Sequence, residues 1–69
     1  MDEHTYKHIE ITGTARSGVD AAIQNAITKA SESVRNLQWF QVIDTRGHIE
    51  NGKVDHWQVT VKIGFRLDD

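Results

Sequence analysis

From Thr5 to Thr12 the chain reads TYKHIEIT, with Lys7, Ile9 and Ile11 on one side of a period-two alternation and Tyr6, His8 and Glu10 on the other. Such alternation predicts a strand with one covered face. Gly13 with Thr14 then marks a turn. The period changes next. Val19, Ala22, Ile23, Ala26, Ile27, Ala30, Val34 and Leu37 recur at helical spacing, which predicts one amphipathic helix from Gly18 to Asn36. Ser17 and Asp20 stand ahead of it at capping-box spacing. The apolar stripe is rich in Ala, so the helix can lie close to a sheet.

Two further alternating segments follow, joined by ENGK. Asn51-Gly52 between alternating runs predicts a tight hairpin, because a type I′ turn needs positive φ at both central residues. In HWQVTVKIGFRL, Trp57, Val59, Val61, Ile63, Phe65 and Leu67 face one way; His56, Gln58, Thr60, Lys62, Gly64 and Arg66 face the other. Counting outward from the turn pairs Val42 with Val61 and Phe40 with Ile63, so apolar meets apolar. The same count pairs Thr45 with Gln58, Gln41 with Lys62 and Trp39 with Gly64, with a bulge near Ile43-Asp44 able to shift the far end. A right-handed crossover makes the first two strands parallel, and the third then slots between them. The predicted fold is α+β: β-α-β-β, a three-stranded sheet in the order 1-3-2 with the third strand antiparallel to its neighbours, packed on one helix, in a single domain over residues 1–69.

The sheet face away from the helix is expected to carry Trp39, Gln41, Ile43, Thr45, Gln58, Thr60, Lys62, Gly64 and Arg66. Most of these are polar or small, and Trp39 is the exception. Its cross-strand partner is a Gly, which is expected to leave a slot beside the indole where a flat partner can stack. Gln58 offers a donor and an acceptor on that face, and Arg46 and Arg66 offer charge for an anionic tail. A subunit contact is the competing use of such a Trp, and the two are compatible if the pocket forms between subunits.

Composition narrows the rest. A chain of 69 residues buries only ~60% of its unfolded surface and is marginal alone. It has no Cys, so disulfides and thiolate metal sites are excluded and oligomerisation is the expected remedy. Eight basic residues against ten acidic ones argue against a broad nucleic-acid face. No segment approaches the ~20 apolar residues of a membrane span. The N-terminal residues lack the pattern of a signal peptide, and the expected compartment is cytoplasmic. His4, His8, His48 and His56 do not make metal spacing. TGTARSG lacks the Lys and spacing of a P-loop, and no nucleophile stands beside a base. Asp2, Glu3, Asp68 and Asp69 read as solvated ends.

Three stretches, IEITGTARSGVDAAIQNAI, LQWFQVIDTRGHI and QVTVKIGFRL, together resemble the dodecins, small flavin-binding proteins, over nearly the whole chain and in particular their bacterial branch. The resemblance implies a β-α-β-β fold wrapped on one helix and a hollow dodecamer. It implies flavins held in pairs between subunits, sandwiched by Trp side chains. Trp39 matches the stacking position and Gln58 the residue that hydrogen-bonds the isoalloxazine edge. Arg46 and Arg66 resemble basic residues near the flavin, and Asp44 aligns with a pocket-lining carboxylate. The implied cofactor is FMN or riboflavin, with FAD carrying the same ring, and some bacterial members also bind coenzyme A. The implied role is flavin storage or buffering and photoprotection, without turnover. A structural shell with no flavin role, a protein whose main ligand is coenzyme A, and a flavin-dependent redox enzyme are the competing readings.

Overall fold

The computed structural model describes residues 3–68, so Asp2 and Asp69, read above as solvated ends, lie outside the described residues. The elements are β1 (Tyr6–Ala15), α1 (Val19–Ser31), β2 (Leu37–Glu50) and β3 (Lys53–Arg66). β3 lies between β1 and β2 and runs antiparallel to both. This is the predicted α+β fold and strand order. Asn51 and Gly52 both have positive φ, 52° and 76°, as the type I′ turn requires.

The core is a thin layer where α1 lays Ala22, Ala26 and Ala30 on Val59, Val61 and Ile63 of β3. Burial of each Val or Ile side chain contributes about 1.5–3 kcal/mol. Ile9, Ile11, Ile23 and Ile27 close the layer's edges. Gly13 is part of this packing and does not turn the chain, in contrast to the expectation from sequence. It is buried inside β1, where a Cβ would collide with the Ala22 carbonyl and lie 2.9 Å from the Ala26 Cβ. The chain turns only after Ala15, and the Asn25 side-chain amide ties the helix to β1 by donating to the Thr14 carbonyl at 2.9 Å.

Both helix ends differ from expectation. The N-cap is Gly18, with no side-chain cap hydrogen bond, so the Ser17–Asp20 capping box does not form. The helix stops at Ser31 rather than Asn36. There the N–H groups of Ser33 and Val34 both close on the Ala30 carbonyl, at 3.1 and 2.9 Å, and the Ser31 hydroxyl donates to the Thr28 carbonyl. Ser and β-branched residues favour such local bonds over another helical turn. Asn36, at φ 66°, then sends the chain into the sheet. Leu37 still reaches the core, but from the start of β2.

Bulges decide which side chains share a face. Asp55 is the extra residue on β3 between the pairs Ile49–Val54 and His48–His56, and Ile43 is the extra residue on β2 between Val42–Val61 and Asp44–Thr60. The two insertions lie on opposite strands and cancel. Beyond them Val42, Gln41, Phe40 and Trp39 pair with Val61, Lys62, Ile63 and Gly64, as counted from the turn. Between them the register is one residue off that count, so Gln58 faces Arg46 and not Thr45. A one-residue slip exchanges faces: Thr45 turns to the helix side, while Asp44, Arg46 and His48 join the opposite face. A third irregularity, at Gln38, lets Leu37 point to the core although Trp39 points away.

The helix packs on β1 and β3, and β2 extends past it. Phe40 and Val42, on the helix side of β2, are therefore left half-exposed, as is Ile43. The chain measures 53 × 20 × 15 Å, a narrow slab with apolar surface uncovered along one long edge.

Candidate functional site

The face opposite the helix is ordered in rows across β1, β3 and β2. His8, Gly64 and Trp39 make one row; Glu10, Lys62 and Gln41 the next; then Thr12, Thr60 and Asp44; then Thr14, Gln58 and Arg46. The Thr12 and Thr60 hydroxyls are bonded at 2.8 Å. Trp39 and, one row further along, Tyr6 opposite Arg66 are the large exposed aromatic side chains of this face; the remaining positions in these rows are polar or small.

Gly64 explains the indole's position, though not in the way the sequence suggests. The expected slot beside Trp39 is filled by Trp39 itself, whose indole atoms occupy the space a Cβ at Gly64 would need. Gly64 is buried beneath it, yet Trp39 remains 41% exposed. The indole is thus seated against the sheet on one side and open on the other, and the open side is where a planar partner can stack.

Arg46 and Asp44 form an ion pair: the Arg46 Nε donates to Asp44 Oδ2 at 2.7 Å. Engaging Nε leaves the terminal guanidinium nitrogens for an outside acceptor. Directly across from Arg46 is Gln58, half-buried on the same face. Arg66 lies two residues along β3 from Gly64, on Trp39's side of the sheet, opposite Tyr6.

These residues fall into two groups within one protomer. Trp39, Gly64 and Arg66 lie at one end of the face; Gln58, Arg46 and Asp44 lie at the other. Gly64 and Gln58 are six positions apart on β3, which at a strand rise of ~3.3 Å per residue is ~20 Å. No fused three-ring system spans that gap. The clefts are also small. One of about 160 Å³ is lined by Ile27, Leu37, Gln38, Trp39, Phe40 and Ile63. Another, of about 290 Å³, lies among Ser33–Asn36 and Phe65–Asp68. Both are below the ~300–1,000 Å³ typical of a ligand pocket.

Sequence reasoning misses two arrangements on this face. His8 meets Trp39 over Gly64, with ring centroids 6.4 Å apart, a contact visible only once the β1–β3 register is known. His48 and His56 stack at 5.3 Å, brought opposite each other by the Asp55 bulge. Each imidazole also holds a carboxylate, His48 that of Glu50 at 3.0 Å and His56 that of Asp55 at 2.9 Å. The bond from His56, opposed in part by burial and assisted by the charge of Arg16, keeps the Asp55 carboxyl below its usual range. Asp68 is not a free end: it pairs with Arg35 and accepts a bond from Asn36. Among the described residues, no group of three or more His, Cys, Asp or Glu could hold a metal ion, and no helix is long and apolar enough to cross a membrane.

A family model described as Dodecin matches residues 5–68. The dodecin of Thermus thermophilus is 42% identical over 64 residues, 93% of each chain. The solved dodecin of Streptomyces davaonensis superposes with a TM-score of 0.94 at 50% identity, covering 99% of this chain and 100% of that one. That of Streptomyces coelicolor gives 0.93 at 52% identity, covering 100% and 99%. Solved variants of the Thermus thermophilus protein include two with an arginine replaced by alanine and one with a tryptophan replaced by phenylalanine.

Proposed function

We propose that this chain, which belongs to the dodecin family, binds flavin between subunits of a closed homo-oligomer and holds it without turnover. The observation that carries the reading is the half-exposed Trp39 indole, seated on Gly64 with its outer side open. A stacked isoalloxazine ring would cover that indole. Gln58 and Arg46 lie ~20 Å away along the strand, so they would serve a flavin seated on the Trp39 of another copy. The uncovered apolar edge of β2 supports the same requirement for further copies.

In the Thermus thermophilus variants the first replaced arginine follows the replaced tryptophan by seven positions, and the second follows by twenty more. Trp39, Arg46 and Arg66 carry the same residue types at the same spacing.

Each group has a definable role. The indole supplies stacking area and, to an excited flavin in van der Waals contact, one electron. Return of that electron ends the excited state without photochemistry. Gln58 pairs with the ring's polar edge. Arg46, held by Asp44, and Arg66 offer charge to a phosphate tail, which would favour FMN over riboflavin. A ring covered on both faces leaves no approach for a substrate, so storage and quenching fit better than redox turnover.

Titration of riboflavin and of FMN with the purified oligomer tests this. Strong quenching of flavin emission at saturable stoichiometry is expected. Unchanged emission across the micromolar range would leave a structural shell as the better reading. Repeating the titration with coenzyme A tests that ligand as the main one.

A further inference from the structure

His8, Gly64 and Trp39 form one row across the three strands. Gly64 carries no side chain, so the two rings meet above it with centroids 6.4 Å apart and planes tilted by 53°. His8 is exposed. The imidazoles of His48 and His56, at the far end of the same face, are each engaged by a carboxylate. His8 has the indole as its neighbour instead.

We propose that His8 is a positioning residue for Trp39, and that its charge sets how readily the indole gives an electron to a stacked flavin; this rests on the flavin reading above. An imidazolium is attracted to the indole π-system. The same charge disfavours the indole radical cation left behind when an electron departs. At the 6.4 Å separation, the Coulomb term on the indole in a water-like dielectric amounts to at most roughly threefold in the electron-transfer equilibrium, since the same charge partly favours the negative charge passed to the ring. With a flavin stacked on it, Trp39 would give one electron to the excited ring and regain it on back-transfer, so neither partner would be left oxidised or reduced. A neutral His8 therefore leaves quenching fast, and a protonated one slows it.

Other charged or titratable groups face this row. Tyr6 and Glu10 flank His8 on β1, and Lys62 and Arg66 flank Gly64 on β3; on β2 the neighbour of Trp39 on this face is the uncharged Gln41. Of these side-chain types, only imidazole ordinarily changes charge between pH ~5 and ~8.

The test uses the intact oligomer in three forms: unmodified, His8→Gln and His8→Lys. Bound-flavin fluorescence lifetime is followed across pH ~5 to ~8. In the unmodified protein it should lengthen by roughly two- to threefold toward acid. It should stay short throughout in His8→Gln and long throughout in His8→Lys. A second readout needs no flavin: in a Trp57→Phe background, Trp39 emission from the ligand-free oligomer should fall toward acid, and this fall should vanish with His8→Gln. Flavin that binds while its lifetime shows the same pH profile with and without His8 would overturn this inference alone. Absence of flavin binding to the unmodified protein would overturn the flavin reading and this inference together.

Discussion

Trp39 and Gly64 face each other across β2 and β3, and the indole fills the volume that any side chain at residue 64 would need. Gly64→Ala should therefore push the indole off the sheet. The ring is at the surface and can swing outward, so the thermal midpoint should change little. Flavin affinity should instead fall by roughly tenfold, ~1.4 kcal/mol, because the stacking plane is no longer held. A titration alongside a melt separates the two effects, and an Ala variant with native affinity would show that the seat on Gly64 is unimportant.

Much of this is legible in the sequence, and the failures share a cause. The Asn51-Gly52 turn and the alternation of β3 are local signals, and they place Trp39 on Gly64 correctly. That success depends on two bulges cancelling: Asp55 on β3 and Ile43 on β2. The sequence raises the bulge near Ile43-Asp44 but not the one at Asp55, so counting from the turn puts Thr45 on the Trp39 face where Arg46 stands, and it hides the His48–His56 stack. Gly13 suggests a turn because a Gly that admits a helix and a Gly that bends a chain look alike in sequence. The capping box of Ser17 and Asp20 is a correct pattern overruled by the extended Gly18. The distance between Trp39 and Gln58 is implicit in the register, since both sit on the same face of adjacent strands but six residues apart.

The half-exposed Phe40, Val42 and Ile43 on β2 should be covered in solution by other copies, because an apolar edge of this kind marks an interaction surface. A closed homo-oligomer is the expected state, and the family resemblance implies a dodecamer. Multi-angle light scattering at micromolar concentration measures it; the 7.8 kDa mass of a single chain would refute it.

Gln58 and Arg46 should matter to binding separately. Gln58→Ala should remove the proposed hydrogen bond to the ring edge, a net contribution of about 1 kcal/mol and more if its partner stays buried. Affinity for riboflavin and FMN should fall by similar factors. Arg46→Ala should weaken FMN and leave riboflavin nearly unchanged, since only FMN carries a phosphate. Parallel titrations of the two ligands decide it, and an equal loss for both with Arg46→Ala would remove the phosphate role.

Acid should weaken the fold through two carboxylates. Hydrogen bonds from Arg35 and then Asn36, with the charge of Arg35, hold Asp68 below its usual range. The bond from His56 comes first for Asp55. A carboxyl depressed in the folded state contributes its stability fully above its unfolded value, ~3.9, and loses it as pH falls through the folded value. Melting temperature should therefore drop below pH ~4, and less steeply in Asp68→Asn. Parallel curves for the two proteins would show that the Arg35–Asp68 pair is too solvated to count.

Trp39 separates the competing readings most sharply. If it stacks on flavin, Trp39→Ala should lose ~1–3 kcal/mol of binding, by analogy with bases on aromatic side chains. Residual bound flavin should also become brighter, because the nearest electron donor has gone. Trp39→Phe should keep part of the stacking and little of the quenching, since a phenyl ring is much harder to oxidise than an indole. If Trp39 serves only as a subunit contact, truncation should disperse the oligomer while Phe preserves it, and the flavin lifetime should not depend on the residue at all. Size-exclusion chromatography with flavin lifetimes on both variants distinguishes the outcomes. An intact Ala oligomer with native affinity and lifetime would end the stacking hypothesis.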